Sequence, residues 1–236
     1  MSADPQSIPH RFKLWDLPTR LFHWLLVIVV SAAFVTGQWG GNLITVHGKL
    51  GIAVVGLLAF RLVWGLVGST SARFLHFAPT PGRIRAYLKG QWQGHGHNPL
   101  GALSVFALLG LLATQAGSGL VANDDIAFTG PLYALIDEDL ALRLTGLHKQ
   151  LAWGLLGFIA LHVAAIIFYV RIKQENLVKP MITGWKETTT PPPHHRHGSR
   201  LALVVALAIA AIALFGAAGG WLPDQPVAPV AAPAPF

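Results

Sequence analysis

Five stretches of apolar residues, each roughly 20 residues long, alternate with shorter polar stretches along the chain. They cover residues 19–38, 46–68, 99–122, 147–171 and 201–221. A helix needs about 20 consecutive apolar residues to cross the hydrocarbon core of a bilayer. The pattern therefore predicts an all-α membrane protein, with a four-helix transmembrane bundle followed by a fifth, C-terminal transmembrane helix.

The polar stretches divide the chain further. Residues 1–186 would contain the four-helix bundle, and residues 187–200 would form a basic linker rich in His and Pro. The fifth helix, at 201–221, is followed by a Pro/Ala-rich tail at 222–236, whose composition is typical of disorder. The segment 123–146 is long enough to form a short helix on the membrane surface.

Composition narrows the chemistry that the chain can perform. Of its 236 residues, 53% are hydrophobic and only 11% are charged, well below the quarter that is usual in soluble domains. There is no cysteine, which excludes disulfides, thiolate metal sites, iron–sulfur clusters and covalently attached c-type haem. Any haem would therefore be held non-covalently, and the chain offers eleven His against two Met as ligands.

The charged residues predict how the chain is oriented. The formal charge is +7, and 13 of the 17 Lys and Arg residues fall in segments that alternate crossing would place on one side of the membrane. The loops on the other side carry Arg143 and an excess of acidic residues: Asp124, Asp125, Asp137, Glu138 and Asp139. Because basic loops stay on the cytoplasmic side, we expect the N-terminus inside and the C-terminus outside. Basic residues spread in this way indicate membrane orientation and do not indicate nucleic-acid binding.

Four histidines fall within or at the ends of the apolar stretches: His23, His47, His148 and His162. Ionisable residues in a membrane span are costly and are candidates for function. His148 and His162 are 14 residues apart, which is close to four helical turns and a rise of roughly 21 Å. One helix face would therefore present two imidazoles at two depths.

Depth in the membrane pairs these histidines across the bundle. His47 and His148 both start their helices at the outer side, whereas His23 and His162 both lie towards the inner side. Haem iron accepts two axial imidazoles, and helical bundles hold such ligands on facing helices. The spacing thus predicts two b-type haems, one held by His47 and His148 and the other by His23 and His162.

Cations near these positions could neutralise the haem propionates, since a membrane-embedded anion needs a positive partner. Arg61 follows His47 by 14 residues and would share its face at the depth of the inner site. Arg61 and Arg20 are therefore candidates for the inner haem. Lys49 and Lys149 adjoin the outer histidines and are candidates for the outer haem.

Other interpretations of the histidines remain open at this point. A single membrane histidine is often a hydrogen-bonded structural residue, and proton relays also use histidine, usually together with carboxylates. The spans contain no Asp or Glu, which weakens the hypothesis that the chain is a pump or a transporter. The remaining histidines of the tails and inner loops, His10, His76, His95 and His97, are expected to be solvated, and His194, His195 and His197 to belong to a flexible linker.

Several motifs resemble those of the bacterial cytochrome b561 family, which includes the cytochrome b subunits of nickel–iron hydrogenases. They are WDLPTRLFHW at 15–24, HGK at 47–49, RLVWG at 61–65, ARF at 72–74, GHNPLGA at 96–102, and HK at 148–149 followed by His162. The resemblance covers roughly residues 10–186. The fifth helix and the tail depart from the minimal four-helix form.

The resemblance implies a dihaem b-type cytochrome of the bacterial inner membrane, in which His23, His47, His148 and His162 ligate the iron. Such a protein would carry electrons of a respiratory chain between the quinone pool and a periplasmic partner. That partner could be a c-type cytochrome or the subunits of a hydrogenase or another dehydrogenase. Two further possibilities are an enzyme that oxidises superoxide, or another small reductant, and reduces quinone, and a transporter without haem.

Overall fold

Long helices dominate the structure, a computed structural model that describes residues 10–94, 96–126, 128–188 and 196–222. The linker residues 189–195 and the tail beyond 222 lie outside the described residues. The elements in chain order are β1 (His10–Lys13), α1 (Leu17–Trp39), α2 (Ile44–Val67), α3 (Phe74–Phe77), α4 (Pro81–Leu88), α5 (Pro99–Leu120), α6 (Glu138–Arg171), α7 (Val178–Thr183), β2 (Trp185–Thr188) and α8 (Arg200–Ala217).

Five of these helices, α1, α2, α5, α6 and α8, are long and apolar enough to cross a membrane. Large apolar side chains cover their outer surfaces, as contact with lipid requires; Ile28 is 63% exposed and Leu66 is 66% exposed. The predicted all-α membrane fold with a fifth C-terminal helix is thereby confirmed.

The two ends of the bundle differ in the elements that cover them. At one end, called the strand end below, β1 pairs antiparallel with β2, and the short helices α3, α4 and α7 connect the long ones. Trp24 Nε1 donates to the Met181 carbonyl at 3.2 Å, which ties α1 to α7. At the other end, called the loop end, the turn Gly41–Leu43 and the segment 121–137 connect the helices.

Helix starts follow local capping chemistry. Asp16 accepts a hydrogen bond from Thr19 N at 2.8 Å and begins α1, and Asn98 accepts from Gly101 N at 2.7 Å and begins α5. Each cap is followed by Pro in the first turn, where a missing N–H costs nothing.

The fourth long helix corrects a sequence-based expectation. α6 begins at Glu138, nine residues before the predicted start at 147, so residues 138–146 extend this helix and form no separate surface helix. Asp137 caps the extension by accepting from Leu140 N at 2.9 Å, and the acidic residues Glu138 and Asp139 occupy its first turn. Negative charge at a helix N-terminus is favourable, which explains why the helix continues into a polar sequence.

The fifth long helix, α8, lies along α2. Its buried face consists of Ala202, Ala206 and Ala210, spaced by four residues, so that the two backbones approach closely. Further along, the Leu214 side chain packs against Gly56, where an added Cβ would lie 2.5 Å from Leu214 Cγ. Small residues on both helices therefore allow α8 to join the bundle.

Candidate functional site

Two of the predicted histidines face each other at the loop end. The imidazole rings of His47 on α2 and His148 on α6 have centroids 5.8 Å apart and are nearly perpendicular. Metal–imidazole nitrogen bonds are about 2 Å long, so two imidazoles on opposite sides of one iron have ring centres on the order of 6 Å apart. The observed spacing fits two axial ligands of one haem.

Backbone carbonyls orient both of these rings through their Nδ1 atoms. His47 Nδ1 lies 2.8 Å from the Ala33 carbonyl oxygen, and His148 Nδ1 lies 2.9 Å from the Gln115 carbonyl oxygen. A carbonyl can only accept, so each Nδ1 donates and each Nε2 carries a lone pair. This is the arrangement in which a backbone carbonyl orients a metal-binding imidazole.

Two glycines make room for the loop-end rings. A Cβ added at Gly37 on α1 would lie 2.8 Å from His47 Nδ1, and one added at Gly119 on α5 would lie 2.9 Å from His148 Cε1. Any larger residue would push the imidazole aside. Sequence reasoning did not find these positions, because neither glycine adjoins a histidine in the chain.

Polar residues of α5 also surround His148. Ser118 Oγ lies 3.3 Å from His148 Nδ1, and Gln115 Nε2 lies 3.2 Å from its Nε2. Neither was predicted, since serine and glutamine in an apolar helix gave no signal without the partner helix. The Gln115 amide can donate to the same His148 nitrogen that iron would need, so this side chain would have to move for iron to bind there.

The other two histidines lie in the half of the bundle nearer the strand end. His23 is on α1 and His162 is on α6. His162 Nδ1 lies 3.5 Å from Ser104 Oγ on α5. His23 Nδ1 is shielded from solvent and has no hydrogen-bond partner among the described residues. A buried polar atom of this kind is costly unless another group satisfies it, which fits a site for a bound group.

An apolar layer separates the two pairs. It consists of Val54, Leu58, Leu112, Ala116 and Leu155, all buried, contributed by α2, α5 and α6. Val54 and Leu58 follow His47 by seven and eleven residues, and Leu155 follows His148 by seven. The helix faces that carry the histidines thus continue as packed hydrocarbon between the two levels.

The four predicted cations occupy different surroundings. Arg61 is 3% exposed, donates from Nη1 to the Ala72 carbonyl at 3.1 Å, and lies 4.4 Å from the centre of the Phe74 ring. Arg20 donates to the Ile182 carbonyl and so holds α1 to the segment after α6. Lys49 and Lys149 are exposed beside the loop-end histidines.

A fifth histidine at the strand end contradicts its expected solvation. The His97 ring lies between Trp15 and Phe77, at centroid distances of 4.6 and 4.5 Å, and its Nδ1 is shielded from solvent. Burial, together with the nearby positive charge of Arg61, lowers the pKa of His97 to about 3. His97 is therefore neutral at physiological pH.

Comparison with known proteins shows to which family the chain is related. Residues 14–184 match the family described as prokaryotic cytochrome b561. The chain is 24% identical over 217 residues to a probable Ni/Fe-hydrogenase B-type cytochrome subunit of Azotobacter chroococcum mcd 1, with 73% of this chain and 87% of that protein covered.

A second relative gives a similar match. The probable Ni/Fe-hydrogenase 1 B-type cytochrome subunit of Escherichia coli (strain K12) is 19% identical over 216 residues, with 73% of this chain and 89% of that protein covered. No solved structure matches the chain. The family match includes α1, α2, α5 and α6 with all four predicted histidines, and it implies haem b. This multi-pass membrane chain belongs to the prokaryotic cytochrome b561 family.

Proposed function

We propose that the chain is a dihaem b-type cytochrome of the bacterial inner membrane that carries electrons between the quinone pool and a periplasmic redox partner. The observation that supports this proposal most directly is the placement of two histidines on α6. His148 and His162 lie at two levels of one helix, and His47 faces His148 at the spacing expected of two axial ligands. His23 completes the second pair in the strand-end half.

The residues of the chain would hold both haems in position for electron transfer and would exclude other reactions at the iron. Haem bound between two imidazoles supplies a one-electron carrier and leaves no open iron position for oxygen or another ligand. The carbonyls of Ala33 and Gln115 hold the loop-end imidazoles in one tautomer and orientation. The apolar layer between the two levels keeps water out of the path.

Basic residues at the two ends of the bundle would neutralise the propionates of the haem at the same end. Arg61 is buried at the strand end, and among the described residues its one hydrogen bond goes to a backbone carbonyl, so most of its donors remain available to a carboxylate. Arg20 lies at the same end. Lys49 and Lys149 would serve the loop-end haem from the solvent side.

The redox partner would bind at the loop end, on the periplasmic face. The relatives are named as cytochrome subunits of nickel–iron hydrogenases, which supports a hydrogenase or a related dehydrogenase as partner. The acidic residues of this end, Asp124, Asp125, Asp137, Glu138 and Asp139, would instead favour a basic carrier such as a c-type cytochrome. Crosslinking in membranes followed by purification of the chain would distinguish the two classes.

One observation favours a second candidate function. Lys49 and Lys149 are exposed next to the loop-end histidines and could attract a small anion such as superoxide. In that case the purified chain alone would oxidise superoxide and reduce an added quinone. Replacing both lysines by Gln would slow that reaction at low salt, and the haem content of the variant would be measured alongside to separate lost anion attraction from lost haem.

The central proposal is tested by counting haems. The protein purified in detergent is expected to contain two b-type haems per chain by pyridine haemochrome, with the reduced-minus-oxidised spectrum of low-spin, bis-imidazole iron. His162→Ala is expected to lose the strand-end haem and to keep most of the loop-end haem. His148→Ala is expected to lose the loop-end haem and to keep most of the strand-end haem. Two haems retained in either variant would contradict the pairing, and a folded, haem-free protein would contradict the function.

A further inference from the structure

A cavity of about 190 Å³ opens at the strand end between the starts of α1 and α8. Residues from the segment 13–18, Trp64 near the end of α2, and residues from the segment 197–203 line it. The segment 197–203 follows the residues 14–184 that match the family, so the fifth long helix completes this cavity. The cavity therefore belongs to the part of the molecule in which this chain differs from the minimal four-helix form.

The floor of the cavity is fixed by hydrogen bonds and close packing. Trp64 is 2% exposed, and its Nε1 donates to Asp16 Oδ2 at 3.0 Å. Asp16 Oδ1 accepts from Thr19 N at 2.8 Å, so both oxygens of this carboxylate are engaged within the protein. Gly198 lies against the Trp64 ring with no room for a Cβ, which holds the start of α8 in place.

Two cationic side chains line the cavity and have no acidic partner among the described residues. Lys13 on β1 is half-buried, and Arg200, the first residue of α8, is exposed. The salt bridges found among those residues involve other lysines of the strand end, Lys179 and Lys186. Because the Asp16 carboxylate already accepts from two N–H groups, the cavity presents an excess of positive charge. Such a site suits a phosphate, which Lys and Arg bind through charge-assisted hydrogen bonds.

Apolar surface adjoins the cavity on its membrane side. α1 and α8 both begin here, so the cavity lies at the level where these spans enter the membrane. Leu17 is 51% exposed and Leu201 is 73% exposed, and Pro18 and Leu203 are among the lining residues. A soluble anion would contact the cations alone, whereas an amphipathic anion would use the cations and the apolar surface together. Basic pockets between transmembrane helices are typical sites for phospholipid head groups.

We propose that this cavity binds the head group of an anionic phospholipid, with its phosphate between Lys13 and Arg200 and its acyl chains along the apolar surfaces of α1 and α8. Free phosphate offers the same anionic oxygens, but it would make no use of the adjoining apolar surface. A lipid held in this way would join the start of α8 to β1 and α1 and thereby stabilise the fifth long helix on the bundle. The inference is independent of the proposed electron transfer, since it involves neither the histidine pairs nor a redox step.

Removing the two cations tests the site directly. The full chain, stripped of lipid in detergent, would be titrated with dioleoylphosphatidylglycerol, and the first binding event would be followed by native mass spectrometry. We expect Lys13→Gln combined with Arg200→Gln to raise the Kd of that event at least about tenfold, because each cation near the membrane surface adds to the attraction. Arg85→Gln combined with Lys89→Gln is the matched control, since it removes the same charge from exposed positions that do not line the cavity. This control should leave the Kd within about twofold.

The wild-type chain gives a second test that needs no substitution. Dioleoylphosphatidylcholine, whose head group has no net charge, should bind at least about fivefold more weakly than the phosphatidylglycerol. An excess of inorganic phosphate should not displace the bound lipid; displacement would assign the cavity to a free anion and overturn the proposal. Equal affinity for the two lipids, an unchanged Kd without the two cations, or the same loss in both pairs of substitutions would also overturn it. The thermal midpoint of each variant, measured without lipid, separates lost binding from lost folding.

Discussion

At the scale of single residues, backbone groups and glycines decide where the imidazoles of the loop-end pair can lie. The carbonyls of Ala33 and Gln115 each accept from an Nδ1 and thereby leave the lone pair of each imidazole on Nε2. Gly37 and Gly119 leave the space in which those rings sit. Histidine alone would not make the site, because a ring in another rotamer would point its free nitrogen elsewhere.

Gly119→Ala should therefore damage the loop-end site. The new Cβ would lie 2.9 Å from His148 Cε1, so the imidazole must move away from the position that faces His47. We expect the variant to lose most of the loop-end haem, measured by pyridine haemochrome and by electron paramagnetic resonance of the low-spin iron. Gly117→Ala on the same helix is the control, because its Cβ would meet no atom within 4 Å. Equal haem contents in the two variants would contradict the role of this glycine.

Arg61 should set the reduction potential of the strand-end haem. A buried cation favours the reduced state, since reduction adds negative charge; at about 10 Å and an effective dielectric constant of about 20 the effect is on the order of 1–2 kcal/mol. Arg61→Met is expected to lower the midpoint potential of one haem by roughly 40–90 mV in a spectroelectrochemical titration. Arg73→Met is the control, because Arg73 at the same end donates to the Gly68 carbonyl and is less buried. A shift of the same size in both variants would mean that the effect is not specific to Arg61.

At the scale of the elements, α6 carries the candidate sites and α8 supports them from outside. α6 is 34 residues long and presents a histidine at each of two levels, whereas α8 contributes none of the four candidate ligands and packs on α2 through alanines. Because α2 holds His47 and Arg61, α8 would stabilise a helix that takes part in both sites without touching the proposed haems.

Ala206→Leu tests this supporting role. Ala206 is fully buried against α2, and extra methyl groups in a packed interface typically cost about 1–3 kcal/mol. We expect a lower midpoint of thermal unfolding in detergent, followed by tryptophan fluorescence, with two haems per chain at low temperature. Ala208→Leu, on the exposed face of the same helix, should change the midpoint little. Loss of a haem in Ala206→Leu at low temperature would show that α8 takes part in the site itself.

At the scale of the whole molecule, the two ends of the helix bundle differ in charge and in the residues that they carry. The strand end carries most of the basic residues, and the loop end carries the acidic segment and the His47–His148 pair. Basic loops stay in the cytoplasm, so the strand end should face inward.

The absence of native cysteine makes this orientation directly testable. A single cysteine replacing Asn42, in the turn at the loop end, should react in intact cells with a maleimide that reaches the periplasm and does not cross the inner membrane. A cysteine replacing Gly82, on α4 at the strand end, should react only after the inner membrane has been opened. The reverse pattern would invert the proposed topology and move the partner to the cytoplasm.

The sequence by itself determined the features whose free energy depends mainly on residues that are close together in the chain. Apolar length defined five spans, and the structure confirms them, because only about 20 apolar residues in a helix can cross a bilayer. The same reasoning selected the four histidines as candidate ligands, since an ionisable residue in a span is rare without a function, and their assignment stays a prediction. The motifs around them predicted the family that the comparison confirms.

The tertiary structure decided what depends on residues that are distant in the chain. Spacing placed His47 and His148 at one depth, but only the packed helices bring their rings to 5.8 Å and set Gly37 and Gly119 against them. Periodicity could not show that His97 lies between Trp15 and Phe77, because these rings come from segments about 80 and 20 residues away. The extension of α6 to Glu138 depended on a cap and on charges at its first turn, which hydrophobic patterning does not detect.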